Sequence, residues 1–207
     1  MNLVHQELDK LAARFPQRKS LREFRAPDWM VEAEADALEH AESVITPHAF
    51  LAGMFSQKVQ KLAWRMPQED QSHRRECIVF PGPTAARKGA YEVRQSLEGT
   101  GEKLLVLGEN LESDDFWRGV DLSRNDTDWV RQALLVVQPA FVENAPRPLL
   151  RALSAGIPVI ATPECGIASH PNLILVPSGN VQALKKAIAE VLKAPVHLAR
   201  FNTAFTA

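Results

Sequence analysis

The chain has little of what marks a secreted or membrane-embedded protein. Only two cysteines occur, Cys77 and Cys165, each inside an apolar run, which reads as two small buried hydrophobes rather than a disulfide framework. No stretch approaches the roughly 18 consecutive apolar residues of a spanning helix. The opening MNLVHQELDKLAARF is too charged and too briefly apolar for a signal peptide, so a cytoplasmic protein is expected. Neither charge sign dominates, with 24 Lys plus Arg against 25 Asp plus Glu. No whole-molecule field would therefore gather nucleic acid or an acidic membrane, and any anion site must be local. Absent too are G-x-x-x-x-G-K-[ST] and G-x-S-x-G, which removes the usual support for P-loop nucleotide hydrolysis and serine hydrolase chemistry. No metal is expected, because His48 and His170 have no second ligand at metal spacing and read as capping or surface histidines. Asp114, Asp115, Asp121, Asp126 and Asp128 lack the glycine and terminal glutamate of a calcium loop. They read as a solvated acidic loop that Trp117 and Trp129 anchor to the domain.

What is present suits one sizeable core: 207 residues with 45% apolar content. Three parts are expected, an N-terminal helical extension at 1–27, a main domain at 28–195 and a tail at 196–207. Residues 28–41 read as an amphipathic helix whose stripe is Met30, Ala33, Ala37, Leu38 and Ala41. A short strand at 43–46, a helix at 47–55 and an apolar run at 59–64 follow, closed by the polar linker MPQEDQSHRRE. From Cys77 onward, short apolar runs at 77–80, 103–107, 134–138, 158–161 and 173–176 alternate with helical stretches at 88–97, 128–133, 146–155 and 181–192. In the last helix Asn180 is a natural N-cap, and Leu184, Ile188 and Val191 form the buried stripe. That alternation predicts an α/β fold with a Rossmann-like, doubly wound, mostly parallel sheet.

Chemistry in such a fold gathers where strand ends lead into helix N-termini, whose unpaired N–H groups favour anions. The first informative junction is FPGPTAARKGAYEV, where a strand runs into Gly82 and then Arg87 and Lys88. Those two residues read either as phosphate-holding cations or as solvated charges beside a turn glycine. The second is QPAFVENAPRPLLRALSAGIPVIATPECGI, in which Glu143 and Asn144 enter a helix with Pro146 in its first turn and Gly156 at its end.

The string ENAPRPLLRALSAGIPVIA resembles the E-N-x-P-N-x-x-L-E-A-x-A-x-G-x-P-V-I-A motif of family-4 retaining glycosyltransferases of the GT-B type. ADALEHAESVITPHAFLAGMF resembles that family's A-D-x-V-I-x-x-S segment, SQKVQKLAW the strand leading into its donor domain, FPGPTAARKG its strand-G-R-x-x-x-x-K-G segment, and PSGNVQALKKAIAEVL its final helix. The likeness runs from about Glu34 to Leu192. It implies that 28–195 is a single GT-B half binding a nucleoside diphosphate sugar as substrate, with no cofactor.

Carried over by position, the resemblance makes Lys88 the cation that neutralises the departing diphosphate and Glu143 the carboxylate on the donor sugar's hydroxyls. It places Gly82, Arg87 and Asn144 along the donor, with backbone N–H groups of Ala145 and Arg147 approaching sugar and diphosphate; Pro146 has none to give. Two positions depart from the motif. Its G-R is Gly82-Pro83 here, and the second glutamate of its E-x7-E pair is Arg151, whose guanidinium donates but cannot accept from ribose hydroxyls. The resemblance also implies an acceptor-binding half with no counterpart here, hence no acceptor cleft within the chain. Three readings stand at this point: a partner-dependent glycosyltransferase, a catalytically inactive donor domain retained as a nucleotide-binding module, and a protein-interaction module. The third would use Leu3, Leu8, Leu11 and Phe15 to bind a separate protein or a second copy.

Overall fold

The computed structural model describes residues 2–55, 58–69, 75–124 and 127–193; the expected tail, Asp126 and residues 70–74 of the linker lie outside the described residues. The chain opens with α1 (Asn2–Arg14), a 3-10 turn (Lys19–Arg22) and α2 (Asp28–His40). Next come β1 (Val44–Thr46), α3 (Ala49–Met54) and β2 (Val59–Lys61), with β1 and β2 paired in parallel as a sheet of their own.

The main sheet is built from β3 (Cys77–Phe80), β4 (Lys103–Val106), β5 (Asp121–Arg124), β6 (Ala133–Gln138), β7 (Val159–Ala161) and β8 (Leu173–Leu175). Helices α4 (Ala90–Leu97), α5 (Trp129–Gln132), α6 (Arg147–Ser154) and α7 (Val181–Lys193) complete the chain. Strand order is β5-β4-β3-β6-β7-β8, every neighbouring pair parallel. This is the doubly wound Rossmann order, growing outward in both directions from β3.

Alternation along each strand divides the core between two faces. Cys77 and Val79 pack with Val136, Leu149 and Leu153, while Ile78 and Phe80 pack with Val93, Leu184 and Ile188. The expected N-cap holds: Asn180 Oδ1 accepts from the Ala183 amide at 2.9 Å, and Leu184, Ile188 and Val191 are buried. Both cysteines are buried, and neither is in a disulfide.

Three expectations need correction. Asp121 belongs not to a solvated loop but to β5, which pairs along its length with β4. Its sequence DLSR carries no apolar run because an edge strand needs little burial. The helix expected from Lys88 starts at Ala90, since Ala86–Lys88 forms a 3-10 turn and Gly89 takes φ +83° between the two. Finally, α2 forms as expected but its stripe is only partly covered: Met30, Leu38 and Ala41 are half-buried, Ala33 and Ala37 are exposed, and Trp29 is 66% exposed. No helix among the described residues is long and apolar enough to cross a membrane.

Candidate functional site

Strand order reverses between β3 and β6, so the loops leaving their carboxyl ends open side by side, the place where such sheets form a crevice. Main-chain bonds join those loops: the Phe141 and Val142 amides both donate to Arg87 O, at 2.9 and 3.2 Å. Gly89 is required here twice over. Its φ is +83°, and a Cβ would lie 2.3 Å from Pro139 O.

This junction delivers Lys88 and Glu143 to one another. Lys88 Nζ lies 2.7 Å from Glu143 Oε2, and Gln138, the last residue of β6, donates to the same oxygen at 2.6 Å. Glu143 Oε1 accepts from the Asn144 and Ala145 amides, each at 2.9 Å. The carboxylate thus fills the anion seat before α6 with the chain's own charge. Burial pushes the Glu143 carboxyl up, but the Lys88 charge and these hydrogen bonds outweigh it and hold the group below its ordinary range. Burial pushes Lys88 down, opposed by the Glu143 charge; Lys88 itself is only 7% exposed. The direction that governs the pair is an ionised carboxylate against a protonated amine.

A residue read only as a cap supports this pair from behind. His48 accepts from the Leu51 amide through Nδ1 at 3.3 Å, which leaves its proton on Nε2 to donate to Glu143 O at 2.7 Å. Its ring lies against Gly166, where a Cβ would come within 2.3 Å. Sequence reasoning anticipated the cap but not the link to Glu143, because 95 residues separate the two.

The remaining site residues spread outward. Gly82 sits beside Lys88, but a Cβ there would make an ordinary 3.5 Å contact; the tight approach is at Gly108, where a Cβ would lie 2.4 Å from Pro83. Arg87 is half-buried with its guanidinium 4.2 Å from the centre of the Phe24 ring; burial pushes it down, with Glu143 opposing. Asn144, Ala145 and Arg147 are exposed, yet the Ala145 amide is taken by Glu143 and the Arg147 amide donates to Ala145 O at 2.7 Å. Arg151 lies apart from the pair: its Nε and Nη2 donate to Glu69 Oε1 and Oε2 at 2.5 and 3.3 Å, and its guanidinium sits 5.2 Å over Trp129.

The N-terminal extension also reaches the junction. Leu8 and Leu11 are buried against Leu21, Ala86 and Phe141, so they are not the exposed interface expected of them, although Leu3 remains 46% exposed. Between α1, α3 and the loop of Glu143 lies a cavity of about 310 Å³, where no cleft was expected.

A doubly wound sheet with a buried lysine–carboxylate pair at its switch point defines a Rossmann-like domain of the GT-B type. Residues 75–194 match the family model for glycosyl transferases group 1, and the chain belongs to that family. No curated protein sequence matches it. Among solved structures it is similar to TarM, at TM-score 0.60 and 16% identity over 84% of this chain and 41% of that one. Sucrose-phosphate synthase from Thermosynechococcus elongatus aligns at TM-score 0.58 and 19% identity, covering 81% of this chain and 53% of the other. HepE from Anabaena, solved with UDP and glucose, aligns at 0.55 and 16%, covering 79% and 57%. The chain therefore spans about half the length of the structures it matches.

Proposed function

We propose that this chain is the donor-binding half of a retaining glycosyltransferase, holding a nucleoside diphosphate sugar at the β3–β6 junction. The observation that carries the reading is the Lys88–Glu143 pair before α6. Lys88 is the one to meet the diphosphate, Glu143 the sugar hydroxyls, and the Asn144 and Ala145 amides exchange the internal carboxylate for ligand oxygen. Such an exchange keeps every buried donor satisfied in both states. HepE, of similar fold, was solved with UDP and glucose, which supports a nucleotide ligand class. Arg87 supplies a second cation in place of the motif's arginine, where Pro83 stands.

Completion by a separate acceptor-binding protein, in the cytoplasm, is part of the same proposal. All eight large hydrophobic residues exposed among the described residues fall between Leu3 and Met66, the part of the chain that also contains a two-stranded sheet too small to stand alone. A second reading, an inactive nucleotide-binding module, draws on the Arg151–Glu69 pair, which leaves the second motif carboxylate without a free counterpart.

Titration calorimetry with UDP, GDP and ADP, then the matching sugars, tests the proposal. The expected result is micromolar binding by one nucleotide, weakened in Lys88→Arg, with the further affinity that the attached sugar adds lost in Glu143→Gln. No binding at millimolar nucleotide overturns both readings; binding without transfer in a reconstituted assay favours the second.

A further inference from the structure

Phe24 takes a backbone conformation that side chains of its size rarely adopt. Its φ is +59°, and among the described residues other than glycine only Arg75 shares the left-handed region. Such a conformation is unfavourable for a bulky residue and persists only where its surroundings over-determine it. Here they do so from both sides. Upstream, Ser20 Oγ accepts from the Ala86 amide at 2.8 Å, and the Glu23 amide donates to Ser20 O at 3.3 Å. Downstream, the Ala26 amide donates to His5 Nε2 at 3.0 Å, and Arg25 Nη2 lies 2.8 Å from Asp9 Oδ1. Phe24 is the crest of an arch between these ties. It is 59% exposed, so burial of the ring is not what the strain secures.

The arch does secure the ring's place beside Arg87, whose guanidinium carbon stands 4.2 Å from the ring centre. Arg87 is half-buried, and its side chain makes no hydrogen bond or ion pair among the described residues. Its neighbour Lys88 is paired with Glu143, and the Glu143 charge is also the one that opposes the effect of burial on Arg87. A guanidinium held through an aromatic face uses none of its N–H donors, which remain free at its edge. We propose that Phe24 is a positioning residue whose ring holds the Arg87 guanidinium for a bidentate bond to a diphosphate, so that the N-terminal extension completes the donor site. This rests on the donor reading above and extends it to a residue outside the 75–194 region that matches the family model.

Other roles for the ring fit less well. A solvated surface arginine needs no strained partner, and a ring placed for packing would be buried. A ring that stacked directly on a nucleobase would act whether or not Arg87 were present.

Calorimetric titration of the full chain with UDP, GDP and ADP, beside urea melts of the same variants, tests the proposal. Phe24→Gly removes both ring and strain, Phe24→Leu removes the π face alone, and Phe24→Tyr keeps it. The first two should weaken the bound nucleotide about fivefold, with Phe24→Tyr close to wild type. In an Arg87→Gln background, Phe24→Gly should change affinity no further, because its action runs through the guanidinium. The urea midpoint of Phe24→Gly should stay at or above that of wild type, which a merely structural ring would not allow. Nucleotide binding indifferent to Phe24→Gly and Phe24→Leu overturns the inference. So does a loss that persists without Arg87, a lowered urea midpoint that matches the lost affinity, or tighter binding once the ring is removed. In each of those cases the donor reading stands. Absence of nucleotide binding by wild type and Phe24→Gly alike removes the donor reading and this inference together.

Discussion

Arg18 Nη1 lies 2.8 Å from Glu92 Oε1, with both side chains almost fully buried and the guanidinium held between the rings of Phe15 and Tyr91, 3.8 and 4.4 Å from their centres. This pair fastens the N-terminal extension to α4. It thereby fixes α1, which walls the cavity, and the segment carrying Phe24 over Arg87. Ser20 adds a second tie, accepting from the Ala86 amide at 2.8 Å while donating to Glu112.

The Arg18–Glu92 latch gives the first prediction. Arg18 Nε and Glu92 Oε2 have no partners among the described residues, so the pair is incompletely compensated for its burial. Arg18→Met alone strands a buried carboxylate and should cost about 3–5 kcal/mol, whereas Arg18→Met with Glu92→Leu should recover most of that loss. Urea melts of the two variants measure it; equal losses would mean that packing rather than charge holds the extension.

At Glu143 the prediction concerns acid. Its folded pKa is depressed, so the stability it contributes is fully present above the ordinary value of 4.5 and is lost as pH falls through the lower folded value. Denaturant melts between about pH 6 and about pH 3 should show a steeper loss for wild type than for Glu143→Gln. Parallel slopes would mean that the carboxylate is not held ionised by Lys88.

The third prediction follows from Arg151. Glu69 now satisfies the guanidinium at the position where the family motif has a carboxylate. Exchanging them in function, with Arg151→Glu and Glu69→Gln together, offers an acceptor to ribose hydroxyls and should raise nucleotide affinity about tenfold, the worth of one charged hydrogen bond. Unchanged affinity would place the ribose away from α6.

Much of this was legible in the sequence for a physical reason: strands buried on both faces are continuous apolar runs, and helix N-caps and glycines are local. Cys77–Phe80 and the Asn180 cap belong to that class, whereas the close approach at the switch point falls at Gly89 and not at Gly82. Less visible was β5, whose polar DLSR satisfies its backbone at the sheet edge without an apolar pattern. The links from His48 to Glu143, Arg151 to Glu69 and Arg18 to Glu92 join residues 95, 82 and 74 positions apart, which no local periodicity reports. In α2 the pattern foretold the helix but not how little of its stripe is covered, since periodicity reports a helix and not its partners.

The last prediction uses the chain's single tyrosine, Tyr91. Its hydroxyl donates to Glu112 Oε2 at 3.0 Å, and the other oxygen of Glu112 accepts from Ser20, so the phenol stands at the end of the ties that hold the extension. Burial, then the bond to Glu112 and its charge, push the phenol up to about 12, against a smaller pull from Arg18 and Arg94. A raised folded pKa means stability that is complete below the ordinary value of 10.0 and is lost as pH climbs from there through about 12. Tyrosinate absorbance of the folded chain should therefore stay flat through the range in which the urea-unfolded chain ionises. Glu112→Gln, which removes the charge but keeps an acceptor, should bring the folded transition part of the way down. Ionisation near 10.0 in the native protein would mean that Glu112 does not face Tyr91 in solution, leaving the Arg18–Glu92 pair and the Leu8 and Leu11 packing to hold the extension.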